Sequence, residues 1–250
     1  RHCKTSKRRP TRENCRRPCG KNHPKTEKPI TRSECMSFST PEVGREDLEQ
    51  HIEKQIPGFR IEDKRKSPLM RLLSKLLFFN KTFSTGYVTT LYPKVYVPEL
   101  PWREKDHVAA IATLAHEYVH LKDRKKMWLF FNFLYLFPQN LAPFALLGVF
   151  GNSPLWYLCL LFLLPIPSPT RAWLEFRGYR MTLAVWALYL GRDWDSRRFI
   201  DSIVDKQFAG SGYYWMFPFR RFMIEKFHIY HARRRNIPEI KEVLKVLEHS

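Results

Sequence analysis

ATLAHEYVHLKDRKKMWLFF, residues 112–131, starts as a helix carrying His116, Glu117 and His120 and ends in uninterrupted apolar sequence. On an α-helix, positions i and i+4 differ by about 40° in azimuth and about 6 Å in rise, so His116 and His120 point the same way and can share one tetrahedral metal. Zinc is the ion such an imidazole pair suits. Glu117, one residue on, reaches a water at that metal without entering the coordination sphere, which is the place of a general base that then shuttles the proton. The bland alternative is two surface histidines on an amphipathic helix. With nine His and sixteen Glu among 250 residues, however, HExxH is expected only roughly 0.02 times by chance, and no Pro or Gly interrupts this one. The spacing predicts a helix over about 103–125, with Val108, Ile111, Ala112, Ala115, Tyr118 and Val119 supplying its packed face.

A catalytic zinc needs a third protein ligand and one open position for water. Asp123 lies on nearly the same face but a turn beyond the midpoint of the two imidazoles, so it suits orienting His120 better than binding the metal. No His follows at the six-residue offset that metzincins require. Glu175, on a charge-rich helix emerging after the apolar block, is the best candidate for the third ligand. His228 and His231, in FHIYHARRR, are the reserve.

Upstream of the motif, STPEVGREDLEQHIEKQIPGF has a Ser/Thr cap, an early Pro41 and a Pro57-Gly58 stop, which predicts a helix over about 41–55. KSPLMRLLSKLLFFN sets Leu69, Leu72, Leu73, Leu76 and Leu77 at helical spacing, either as a core-facing helix or as a basic amphipathic helix on a membrane surface. GYVTTLYPKVYVPEL alternates β-branched and aromatic residues with polar ones, so Tyr87–Leu91 and Lys94–Val97 read as short strands, and Pro93 and Pro98 suit a sheet edge. A strand directly before a ligand-bearing helix is a layout in which the edge strand can hold an extended peptide by backbone pairing.

Downstream, Met127 to Thr170 contains no Asp, Glu, Lys or Arg. GNSP at 151–154 divides this block, and Pro138 and Pro143 interrupt its first half. The second half holds about a dozen strongly apolar residues, roughly 18 Å of helix, too short to cross a 30 Å hydrocarbon core unaided. A shallow or broken apolar hairpin over about 127–168 is expected, either inserted in a membrane, with Trp128, Trp156 and Tyr157 as interfacial anchors, or buried in a protein assembly. Arg124, Lys125 and Lys126 before it, and Arg171, Arg177 and Arg180 after it, put both ends on the same, cytoplasmic side.

The net charge is +19, which draws anionic partners such as lipid headgroups or nucleic acid without choosing between them. Residues 1–35 hold twelve Lys or Arg against three Glu and almost no apolar residues, so residues 1–38 are expected to be a flexible or partner-ordered arm able to contact nucleic acid or another polyanion. Cys3, Cys15, Cys19 and Cys35 lie in it, with His2 and His23. They could form a zinc knuckle, form disulfides or stay unpaired. The chain opens on Arg1 rather than Met, so processing or truncation before residue 1 is expected. The overall expectation is an α+β, mostly helical chain. The arm precedes a domain over 39–250, where a small edge-strand sheet packs on the HExxH helix and an apolar hairpin projects.

HEYVH, two apolar segments and then a helix bearing Glu175 resemble the integral-membrane gluzincin peptidases, the group containing the CAAX prenyl-protease and the heat-shock membrane protease. The resemblance covers roughly residues 85–190. In that family the downstream Glu is followed four residues later by Asp; EFRGY keeps Glu175 and Arg177 but has Tyr179 at the Asp position. The resemblance implies a zincin-like domain and a membrane-associated endopeptidase, with Zn²⁺ on His116, His120 and Glu175, Glu117 activating water, and a peptide or protein substrate. KSPLM through YVTTLYPKVYVPEL to HEYVH is also similar to HExxH proteins carried by tailed phages. That similarity implies the alternative: a non-catalytic structural or assembly protein of a virus particle, its basic arm on nucleic acid.

Overall fold

The computed structural model of the chain describes residues 41–76, 83, 85–98, 107–151, 153–164, 166–191, 194–210 and 215–249. The basic arm, its four cysteines and its expected polyanion contacts lie outside them. The described part is α+β and mostly helical, with a three-stranded mixed sheet.

Helix α1 (Pro41–Gln55) leads to strand β1 (Arg60–Asp63), and α2 (Pro68–Leu76) leads to β2 (Thr89–Leu91) and β3 (Lys94–Val97). The strand order is β1-β3-β2, with β1 parallel and β2 antiparallel to β3. Lys94–Val97 is therefore the centre of the sheet, not its edge. Pro93 and Pro98 fall just outside the strand, so neither removes a ladder N–H from it. The edges are β2 and the unexpected β1, whose sequence RIED looks like a loop until it pairs with a partner more than thirty residues on.

Helix α3 (His107–Met127) carries the HExxH motif and is buried around much of its circumference, from Ala110 and Ile111 to His120, Leu121 and Asp123. The sequence pattern predicts one packed face. The structure covers more, because α1, the β2 edge and α6 (Pro169–Leu190) all pack against α3. Leu48 and Ile52 of α1, Val95 and Val97 of β3, Ile111 and Leu114 of α3, and Val243 and Leu244 of α9 (Pro238–His249) form one core. At about 1.5–3 kcal/mol for each fully buried aliphatic side chain, such a cluster can hold polar groups out of water at its border. A second core lies on the other side of α6, where Phe176 and Leu183 meet Ile200 of α7 (Ser196–Ile203), Phe208 of a following π turn, and Phe227 of α8 (Arg220–Ala232).

Between α3 and α6 the apolar block forms short, broken pieces. Trp128 takes φ 48°, a left-handed conformation uncommon outside Gly, and ends α3. Helix α4 (Leu129–Leu136) follows, and Pro138 begins a 3-10 stretch (Gln139–Leu146) that continues into α5 (Leu147–Phe150). Pro143 inside that stretch removes a backbone donor, which disfavours a regular α-ladder. The two arms are bent by 91° at the break. A second 3-10 stretch (Pro154–Leu163) begins at the last residue of the expected division, GNSP at 151–154. Among the described residues no single helix is long and apolar enough to cross a membrane.

The surface of this block is apolar: Phe150 is 88% exposed, Trp128 72% and Leu155 69%. Helix α2 behaves similarly, because Met70 is its buried residue while Leu69 and Leu72 face outward. The core-facing reading of that leucine stripe fails at these two positions.

The chain re-enters the core at a well-capped start. Ser168 Oγ accepts from Arg171 N at 3.4 Å, and Pro169 occupies the first turn of α6, where its missing N–H costs nothing. Thr170 Oγ1 donates to the Leu134 carbonyl at 2.7 Å, and Ser168 Oγ donates to the Phe137 carbonyl, tying α4 to the root of α6.

Candidate metal centre

The facing sides of α3 and α6 build the site. His116 and His120 come from α3 and Glu175 from the second turn of α6; all three are buried, and one ligand atom of each lies within 4.8 Å of the others. His116 Nε2 is 3.1 Å from His120 Nε2, and Glu175 Oε2 is 3.4 Å from the first and 3.9 Å from the second. Donors about 2.0–2.1 Å from a tetrahedral ion stand about 3.3–3.4 Å apart, so the triangle has the size a zinc ion asks for. Two nitrogens and one carboxylate oxygen, with the fourth position left open, are also the donor set of catalytic zinc sites.

The neighbours explain how each donor is aimed. Thr182 Oγ1 lies 3.3 Å from His116 Nδ1 and donates its own proton back to the Gly178 carbonyl at 3.4 Å. Assigned from this network, the hydroxyl oxygen accepts from Nδ1–H, which leaves the Nε2 lone pair facing the other two donors. The Tyr135 hydroxyl of α4 donates to Glu175 Oε1 at 2.5 Å, leaving Oε2 toward the imidazoles. Gly178 is needed for the approach of the two helices, since a Cβ there would sit 2.6 Å from His116 Nε2 and Cε1. Tyr179 packs edge-on against the His116 ring with centroids 4.7 Å apart. Tyr179 is thus a wall of the site.

Charge follows the same arrangement. Burial disfavours a charged His116, but the Glu175 hydrogen bond and the carboxylates of Glu117 and Glu175 outweigh it and raise its pKa. Burial lowers the pKa of His120. Burial also opposes an ionised Glu175, yet the His116 hydrogen bond, the neighbouring His120 and the Tyr135 hydroxyl hold its carboxyl at about 2. An ionised carboxylate and one neutral imidazole are therefore in place, and a metal would displace a proton from His116.

No family model, curated protein or solved structure matches the chain. What the residues can do is set by their own geometry.

Glu117 stands outside the triad of donors. Its Oε2 accepts from Thr90 Oγ1 of strand β2 at 2.5 Å, which fixes the carboxylate against the sheet edge. Lys64, only 2% exposed, adds a cation nearby. Its Nζ donates to the Phe83 carbonyl at 2.8 Å, and burial lowers its pKa to about 8 against the opposing pull of Glu117.

Asp123 does not bond His120. It receives Arg177 Nη1 at 2.5 Å, while His120 Nδ1 has no hydrogen-bond partner. Arg177 Nη2 also donates to Glu239, so Asp123 serves a clamp joining α3, α6 and α9 rather than the imidazole. His228 and His231 lie on α8 and join no potential metal group among the described residues; the His231 ring faces Trp194 with centroids 6.0 Å apart.

The sequence reading missed Thr90, Tyr135, Gly178 and Thr182. For two of them a signal existed: Glu175, Gly178, Tyr179 and Thr182 recur at i, i+3, i+4 and i+7, one face of a helix. Tyr135 and Thr90 come from other elements and carry no such signal.

Proposed function

We propose that the protein is a membrane-associated, zinc-dependent endopeptidase. The observation that carries this reading is the convergence of His116, His120 and Glu175, with Glu117 beside them but outside their triangle. His116, His120 and Glu175 would hold the ion, which when bound would polarise a peptide carbonyl and acidify a water. Glu117 takes the proton from the attacking water and returns it to the leaving amine nitrogen. Thr90 keeps that carboxylate in register with the sheet.

Among the described residues β2 is paired on one side only. An extended segment of substrate can add to its free edge through backbone hydrogen bonds, which align it beside Glu117 without demanding a particular side chain. Unfolded or extended protein segments are the class this favours. The exposed apolar block supports docking of the domain at a bilayer, and exposed Lys125 and Lys126 at its start favour the cytoplasmic face.

The test is cleavage of an unfolded protein by the vesicle-bound chain. Glu117→Gln should slow hydrolysis by about 10²–10⁴-fold while zinc is retained. If the parent cuts nothing and Glu117→Gln behaves identically, the non-catalytic assembly protein is the better account.

A further inference from the structure

We infer that the Tyr135 hydroxyl is a positioning group for Glu175, and that a lipid bilayer docked on the opposite face of the same helix sets the metal affinity of the site. The inference rests on reading His116, His120 and Glu175 as a zinc site.

Helix α4 has two faces with different company. On the inner face, Phe131 is buried and its ring stacks on that of Tyr135 with centroids 5.8 Å apart; both rings lie edge-on to His120 at 6.0 and 6.1 Å. From there the Tyr135 hydroxyl reaches Glu175 Oε1. A carboxylate with both oxygens free can bind an ion through either or both. With Oε1 engaged by Tyr135, Oε2 is the oxygen presented to the histidines, so the hydroxyl selects one oxygen and one orientation.

On the outer face, Leu129, Phe130, Phe133 and Leu136 are each 47–57% exposed, and the rings of Phe130 and Phe133 stack with centroids 6.2 Å apart. An eight-residue helix is well below the length that is stable alone in water, so its position depends on what it packs against. Its inner contacts hold it on one side. Exposed apolar area on the other, at roughly 25 cal/mol per Å², favours any rearrangement that hides it. A covering that removes this penalty holds α4, and with it Tyr135, in place.

The covering is lipid, on three grounds. The block from Met127 to Thr170 has no charged residue, whereas a protein interface is rimmed by polar groups. Exposed Trp128, Trp156, Tyr157 and Trp173 are interfacial aromatics in or beside it. Cations lie at its start: Lys125 and Lys126 are exposed at the end of α3, next to the block, where anionic headgroups would pair with them.

The experiment uses the full chain on vesicles of phosphatidylcholine and phosphatidylserine. Zinc affinity is measured by chelator competition, and the absorption spectrum is recorded with Co²⁺ in its place. Tyr135→Phe keeps the ring contacts and should weaken zinc by about 10–100-fold, with a changed cobalt spectrum. Phe133→Ser combined with Leu136→Ser touches no ligand, yet should lower vesicle binding and weaken zinc toward the Tyr135→Phe value. Unchanged affinity and spectrum in Tyr135→Phe would overturn the positioning role. Reduced vesicle binding with unchanged zinc affinity in the double variant would overturn the coupling to lipid. A parent chain that holds no stoichiometric zinc overturns the metal-site reading itself, a result distinct from the other two.

Discussion

The α3–α6 seam and the block between those helices are both rich in Leu, Ala and aromatic residues, yet one is buried and the other exposed. In the seam, Gly178 of α6 leaves room for the His116 ring of α3, and both helices run long and uninterrupted, so they approach closely. In the block, Trp128, Pro138, Pro143 and Gly151 break the chain every few residues, so no piece is long enough to present a continuous stripe. Its bulky side chains stay outside. Apolar content alone therefore does not decide burial. Continuity of the helix and a small residue at the contact do, and they also permit three polar donors to be buried together.

The largest expected effect tests the close approach. Gly178→Ala puts a methyl group 2.6 Å from the His116 ring, so either the ring or α6 must move. Overpacking of this kind costs about 1–3 kcal/mol, and the displaced imidazole should weaken zinc at least as much as losing an orienting partner does, about 10–100-fold. Equilibrium unfolding and chelator competition on the same sample measure both. Unaltered values in both would mean the seam is looser than this packing describes.

Thr182→Val is smaller and cleaner, since it keeps the shape and removes the acceptor that fixes the His116 tautomer. Zinc should weaken by about tenfold, with stability nearly unchanged. The smallest effect belongs to the other region. Phe150→Ser, at a side chain 88% exposed and outside α4, should leave unfolding free energy within about 0.5 kcal/mol and reduce vesicle binding, while the chain that stays vesicle-bound keeps its zinc affinity. Large destabilisation there would show that the block is packed against something within the fold.

What could be read from the sequence follows the range of the interactions. His116, Glu117 and His120 are legible because their relation is fixed by one helical turn. Glu175 comes into view because the chain must return after the apolar block, and few carboxylates are available where it does. The bounds of α1 agree with its cap and Pro57-Gly58 stop. Strand β1 was hidden because RIED becomes a strand only through a parallel partner far along the chain. Asp123 was drawn toward His120 by azimuth alone; the structure gives it to Arg177, a cation on another helix that periodicity within α3 does not reveal. Thr90 and Tyr135 were invisible for the same reason, each reaching a site carboxylate from a separate element.

The central claim is that His116, His120 and Glu175 form one metal site. Its most direct test is the metal content of the full chain, purified without chelator, beside His116→Ala and Glu175→Ala. The account predicts one zinc per parent chain and a loss of stoichiometric zinc in both variants, because two donors leave the ion a ligand short. A parent chain free of metal, or a Glu175→Ala chain that holds zinc as tightly as the parent, would contradict it.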